Sequence, residues 1–235
     1  MHDAKRMGCE SCGLWRICFP GRVAGATERS VNGVRIRRIR IPRGNALYRS
    51  GDRVESLYMV RSGCIKEIDD SSGRNGAVIN FALPGELLSL QSLGCSCSTT
   101  TGIAVEACNI CVVPWRAFSH LCAESPTVAV EFIRLIAKAA TAARDLLTLT
   151  RDKEAFERVA GFLLNVHGRL QLRGVRGREF RLSMNRGDIA NYLGLRSETV
   201  SRCFTKLAKR EVIKVCAKRI QILHASELRK AALRA

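Results

Sequence analysis

The chain has 235 residues, enough for two modest domains that each bury a core. Its 39 Lys and Arg exceed 21 Asp and Glu, and the net charge of +18 points to a polyanion, nucleic acid ahead of an anionic membrane surface. Its 11 cysteines are odd in number and no apolar run follows the first residues, which argues against a secreted disulfide scaffold; no membrane-length apolar run occurs, so a reduced, cytoplasmic protein is expected.

Cys9, Cys12 and Cys18 open the chain in a C-x2-C-x5-C array. Thiolates bind soft metals and iron-sulfur clusters, and a C-x2-C pair brings two sulfurs to one centre from a single turn. Three thiols leave a four-ligand site incomplete, so a further ligand must come from elsewhere in the chain.

Residues 34 to 118 predict short strands broken by glycine turns at Arg43-Gly44, Ser50-Gly51, Ser62-Gly63, Ser72-Gly73 and Pro84-Gly85. The spacing suits an antiparallel barrel or sandwich, with strands over residues 34–39, 57–60 and 77–81. Ser125-Pro126 then starts a helix. An apolar seam at Phe132, Leu135, Ala139, Ala142, Leu146 and Leu149 follows a 3.5-residue repeat, the pattern of a dimerisation helix or of an amphipathic helix packed on its own domain.

Residues 151 to 235 hold 20 Lys and Arg against 8 Asp and Glu. Residues 178–184 alternate like a strand. Arg186 to Leu193 is helical in pattern, Gly194 breaks it, and Ser197 to Arg210 resumes it. Ala190, Gly194 and Val200 supply the small residue, the left-handed turn and the buried apolar residue that a helix-turn-helix needs. On the second helix Glu198, Ser201 and Arg202 share one face. Arg202 suits guanine O6 and N7, Glu198 a cytosine amine, and Ser201 allows close approach, while Arg196, Lys206, Lys209 and Arg210 are expected on phosphates. With four scattered histidines and no paired carboxylates on one helix face, an enzyme is not expected.

Residues 186–195 together with Glu198-Thr199-Val200-Ser201-Arg202 resemble the winged helix-turn-helix of the cyclic-AMP receptor protein superfamily, and the E-x-x-S-R reading resembles its FNR branch of anaerobic regulators. Tyr48 to Asp52 and Leu57 to Gly63 resemble that family's β-roll. The resemblance implies an α+β chain with four parts: a cysteine-rich segment over residues 1–20, an antiparallel, cyclic-nucleotide-binding-like β-roll sensor over 21–124, a dimerisation helix over 125–150, and a winged helix-turn-helix over 151–235.

It further implies a [4Fe-4S] cluster on Cys9, Cys12, Cys18 and a distant fourth cysteine, assembled without oxygen, favouring a homodimer on an inverted repeat of the TTGAT type and working with RNA polymerase. Cys111-Val112-Val113-Pro114-Trp115 matches the family's pattern for the fourth ligand, with Cys108 the nearest rival and Cys95 and Cys97 further candidates. A zinc or thiol sensor without a cluster is the alternative on the same scaffold. Where nucleotide-binding relatives follow Gly-Glu with an arginine for the phosphate, Gly85-Glu86 is followed by Leu87 to Gly102 without Lys or Arg, so no cyclic nucleotide is expected. The seam offers alanines where some FNR-type helices carry an acidic side chain, which predicts a dimer less dependent on the metal.

Overall fold

The computed structural model describes residues 34–72, 76–150, 153–174 and 177–233, preceded by Leu14, Cys18 and residues 26–27 and 30–31. It divides into two compact units, Met1–Asp70 with Phe81–Ala139, and Ser71–Asn80 with Ala140–Ala235.

The first unit begins with three short strands, β1 (Ala26–Thr27), β2 (Ser30–Val31) and β3 (Val34–Arg35), paired in that order. The strands that follow are β4 (Arg37–Ile41), β5 (Ala46–Tyr48), β6 (Ser56–Ser62), β7 (Ile65–Asp69), β8 (Ala77–Ala82), β9 (Leu87–Leu88), β10 (Thr101–Ala104) and β11 (Cys108–Pro114). They make two four-stranded sheets, ordered β5-β10-β7-β8 and β4-β11-β6-β9. The glycine turns expected from sequence separate these strands, and Gly63, at φ 90°, is demanding. A Cβ there would stand 2.6 Å from Cys108 Sγ and 2.8 Å from Ala107 O, so both sterics and backbone conformation require glycine.

Alternation along β11 partitions the first unit's apolar side chains. Cys108, Ile110 and Val112 join Val60, Ile65 and Leu88 in one core. Val113, on the other face, joins Leu57, Met59, Phe118, Val128 and Phe132 in a second. The expected strand over 34–39 is interrupted because the chain changes core: Val34 and Ile36 pack with the second cluster, Ile39 and Ile41 with the first.

Helix α1 (Trp115–Glu124) ends where Ser125 N–H donates to Leu121 O at 2.9 Å, and α2 (Pro126–Thr150) starts at the predicted proline. The seam expected on this helix is placed differently. Phe132 is buried in the first unit's own core and Leu135 packs against it, so neither is presented outward. Ala139 is exposed, and the side chains of Ala142, Leu146 and Leu149 lie outside the described residues. The exposed apolar residues instead are Val130, Ile133 and Ile136, 46%, 63% and 41% exposed, with Ala140 and Ala143 continuing their stripe. Residues one position apart on a helix differ by about 100°, so a one-residue shift exchanges an inward stripe for an outward one.

The second unit contains α3 (Ala155–Gln171), β12 (Glu179–Arg181), α4 (Arg186–Leu193), α5 (Ser197–Lys209), β13 (Ile213–Cys216), β14 (Arg219–Ile222) and α6 (Ala225–Leu233). Glu154 caps α3 in a capping box with Glu157. Val159, Phe162, Ile189, Leu193, Val200 and Leu207 are among its buried apolar residues. The sheet, ordered β12-β14-β13, forms the wing beside the two-helix motif. No helix among the described residues is long and apolar enough to cross a membrane.

Candidate nucleic-acid interface and cysteine centre

Helix α4 starts where the Asn185 side chain accepts from Asp188 N–H at 2.8 Å, satisfying one of the unpaired donors of a helix start. It stops at Gly194, whose φ of 64° is left-handed, and Leu195 N–H then donates to Ala190 O at 2.8 Å. This closes the turn and starts α5 at Ser197. Val200, Cys203, Phe204 and Leu207 turn inward, which leaves Glu198, Ser201, Arg202 and Thr205 exposed on the opposite face.

The expected readers thus share one face. Glu198 and Arg202 have no partner among the described residues, and each is available to a base edge. The Ser201 hydroxyl donates to Ser197 O at 3.0 Å, and Thr205 repeats that bond to Ser201 O at 3.1 Å. Ser201 therefore offers lone pairs outward, not its proton, until its hydroxyl rotates.

The expected phosphate contacts divide into two kinds. Arg196, in the N-cap position, and Lys209 are exposed. Lys206 Nζ and the Arg210 guanidinium lie 4.7 and 5.3 Å from the centre of the Phe156 ring, held on an aromatic face of α3. Arg186 stacks on Phe204 at 3.3 Å, and burial lowers its pKa. Sequence reasoning passed over the wing, where Lys214, Lys218 and Arg219 are exposed; Arg219 pairs with Glu179 at 3.1 Å and Lys218 donates to Ser183 O at 3.3 Å. Bases spaced through Lys214-Val215-Cys216-Ala217-Lys218-Arg219 were the available signal.

Of the expected metal ligands, Cys9 and Cys12 lie outside the described residues. Cys18 is buried in the second core of the first unit, and its N–H donates to Leu14 O at 2.8 Å. Cys111 is partly buried against that same cluster. In the β-ladder it stands opposite Arg38 of β4 on one side and Met59 of β6 on the other.

Cys108 occupies the other core. Its thiol donates to Cys64 O at 3.3 Å and Glu106 O at 3.1 Å, and burial pushes its pKa up. Cys95 and Cys97 are exposed on a segment pinned to residues 51–54 by Val54 N–H to Ser96 O and Ser98 N–H to Asp52 O. Cys122 also borders the cluster holding Cys18, and burial raises its pKa. Among the described residues, no group of three or more His, Cys, Asp or Glu converges on one point.

The segment after Gly85-Glu86 turns inward onto a buried carboxylate. Glu67 Oε1 accepts from Tyr48 OH at 2.5 Å, Ser89 N–H at 3.0 Å and Gln91 Nε2 at 3.1 Å. Gln91 also donates to Thr100 Oγ1 at 3.0 Å. An anion is thus already solvated by this segment, which fits poorly with a phosphate beside it.

Residues 157–231 match the family described as the Crp-like helix-turn-helix domain, and residues 38–125 that of the cyclic nucleotide-binding domain. The fumarate and nitrate reduction regulatory protein of Vibrio cholerae is 32% identical over 220 residues, covering 94% of this chain and 88% of the relative. The transcriptional activator protein Anr of Pseudomonas protegens is 31% identical, covering 94% of this chain and 90% of the relative. Among solved structures, FixK2 from Bradyrhizobium japonicum superposes with a TM-score of 0.77 at 25% identity, covering 85% of this chain and 98% of that one. The two matched domains, in this order, and identity extending over nearly the whole length establish that the chain belongs to the CRP/FNR superfamily of DNA-binding transcription regulators and is not an enzyme.

Proposed function

We propose that this chain is an oxygen-responsive regulator of anaerobic gene expression, working in the cytoplasm as a homodimer, with Cys9, Cys12, Cys18 and Cys111 as the ligands of a [4Fe-4S] cluster. The observation that carries the reading is the sharing of one side-chain cluster by Cys18 and Cys111, while Cys108 points into a different core with its thiol engaged on two carbonyls. Four thiolates are the donor set such a cluster takes, and when bound it supplies an oxygen-labile centre. The names of the relatives, regulators of fumarate and nitrate reduction, agree with this signal.

The output is the face of Glu198, Ser201 and Arg202, reading one half of a TTGAT-type inverted repeat in the major groove, with Arg196 and Lys209 on phosphates. Lys206 and Arg210, exposed beside the Phe156 ring, supply further phosphate contacts. The second copy packs on the stripe of Val130, Ile133, Ile136, Ala140 and Ala143, and RNA polymerase is the partner on the promoter. The Glu67 carboxylate and the absence of Lys and Arg from Leu87 to Gly102 argue against a cyclic nucleotide as the signal.

The test is purification without oxygen, with iron and acid-labile sulfide measured per chain. About four of each are expected in a brown protein that bleaches in air and binds the inverted repeat only before bleaching. Cys111→Ser should lose both elements and Cys108→Ser should keep them. A colourless, zinc-loaded protein would replace the cluster with the zinc or thiol sensor on the same scaffold.

A further inference from the structure

Strand β4 is an edge strand that carries Arg37, Arg38 and Arg40, and Arg43 follows it in the turn, all exposed. Charge on an edge strand ordinarily blocks pairing with another chain. The register gives one of these arginines a different setting. Ile39 and Ile41 pack into the core with Cys108, Ile110 and Val112, so Arg38 and Arg40 emerge on the opposite face of the sheet, the face of Cys111. Ile36, on that same face, packs with the cluster that holds Cys18 and borders Cys111.

Arg38 is the residue directly opposite Cys111, whereas Arg40 is opposite Asn109. Directly opposite residues of an antiparallel pair have Cβ atoms about 5 Å apart. On the other side of Cys111 stands Met59, an uncharged thioether that is buried. Among the described residues, no carboxylate is paired with Arg38. Arg38 is therefore the charged neighbour of Cys111 across the ladder, with its charge uncompensated.

We propose that Arg38 is an electrostatic positioning residue for the cysteine centre, setting how readily the bound group gives up an electron. The inference rests on the cluster reading above. Four thiolates leave a ligated [4Fe-4S] group with net negative charge, so a neighbouring guanidinium stabilises the more reduced, more negative form. Removing the cation favours loss of an electron, which in air passes to dioxygen. A unit charge roughly 7 Å away, screened as at an exposed site, changes an equilibrium constant by about threefold.

The experiment uses the full chain, reconstituted without oxygen, as wild type, Arg38→Gln, Arg38→Lys and Arg40→Gln. The readouts are iron and sulfide content, the reduction potential, and the rate at which visible absorbance is lost in air-saturated buffer. Arg38→Gln should retain the iron and sulfide of wild type, bleach about threefold faster, and have a potential about 30 mV lower, at 59 mV per tenfold for one electron. Arg38→Lys should restore both values, and Arg40→Gln, which removes an equal edge charge from the same face, should change them less. Raising ionic strength to about 1 M should bring wild type and Arg38→Gln together, an effect that a packing role would not produce.

Wild-type potential and bleaching in Arg38→Gln, failure of lysine to rescue, or an equal effect of Arg40→Gln overturns the proposal. Wild-type protein without iron and sulfide instead overturns the cluster reading on which it depends.

Discussion

Ile133→Ala tests which stripe of α2 meets the second copy. Ile133 is 63% exposed and belongs to no buried cluster of its own unit. Complete burial of an isoleucine side chain is worth about 1.5–3 kcal/mol, so removing the exposed part of Ile133 from water on association contributes about 1–2 kcal/mol per copy. Alanine keeps the Cβ, and the two-fold axis counts the loss twice. The expected cost is about 2–3 kcal/mol per dimer, roughly a 30- to 150-fold rise in Kd. Sedimentation equilibrium across nanomolar to micromolar protein reads this directly, while the thermal transition of the monomer should stay close to that of wild type.

Phe132→Ala is the contrasting variant. Its ring lies 4.8 Å from that of Phe118, centre to centre and edge to face, inside the first unit's core. Truncation should cost about 3–5 kcal/mol of folding stability. The assignment fails if Ile133→Ala associates within twofold of wild type while Ala139→Glu dissociates the dimer, because the seam would then be the stripe of Phe132, Leu135 and Ala139.

Arg202→Ala should cost about 1–3 kcal/mol at one base pair of the half-site and relax specificity there. Lys209→Ala should weaken all sequences alike and lower the salt slope by about one; fluorescence anisotropy over a set of single-base variants separates the two, and equal losses for both refute the assigned roles. Tyr48→Phe removes a donor from the buried Glu67 carboxylate and should cost about 1–3 kcal/mol at neutral pH. Burial, then the charge of Glu67, raises the Tyr48 pKa far above that of a free phenol. The folded state therefore resists losing a proton that the unfolded chain gives up near pH 10, so Tyr48 stabilises fully below about pH 10 and loses this contribution as pH rises further. Urea midpoints between about pH 8 and pH 11 should decline less steeply in Tyr48→Phe, and parallel declines would count against the buried pair.

The helix-turn-helix was legible because its determinants are local. A left-handed glycine, a small residue four before it and an apolar residue six after it constrain one turn and its two helices, and α4 and α5 follow those limits closely. The strand over 34–39 was less legible. Its apolar residues serve two cores, and a period-two pattern does not say which core each half belongs to. Lys206 and Arg210 looked like free bases because Phe156, some 50 residues earlier, gives no local sign that its ring will lie beneath them. Glu67 carries no local sign of burial, because Tyr48, Ser89 and Gln91 come around it only through the fold.

Period and residue type alone determined the two-part organisation, the basic second half and the face of Glu198, Ser201 and Arg202, while Cys111 as a candidate ligand came only from the family resemblance. Packing decided what periodicity left degenerate. Helix α2 is apolar along two adjacent heptad stripes, and only the first unit's core, by taking Phe132 and Leu135, leaves Ile133 and Ile136 outward. Cys108 and Cys111 stand three residues apart on one strand, and the sheet's two faces send the first into the core with Ile110 and the second toward Cys18. The register with β4 then sets Arg38 across from Cys111, because strand pairing joins residues by their place in the ladder and not by their distance along the chain.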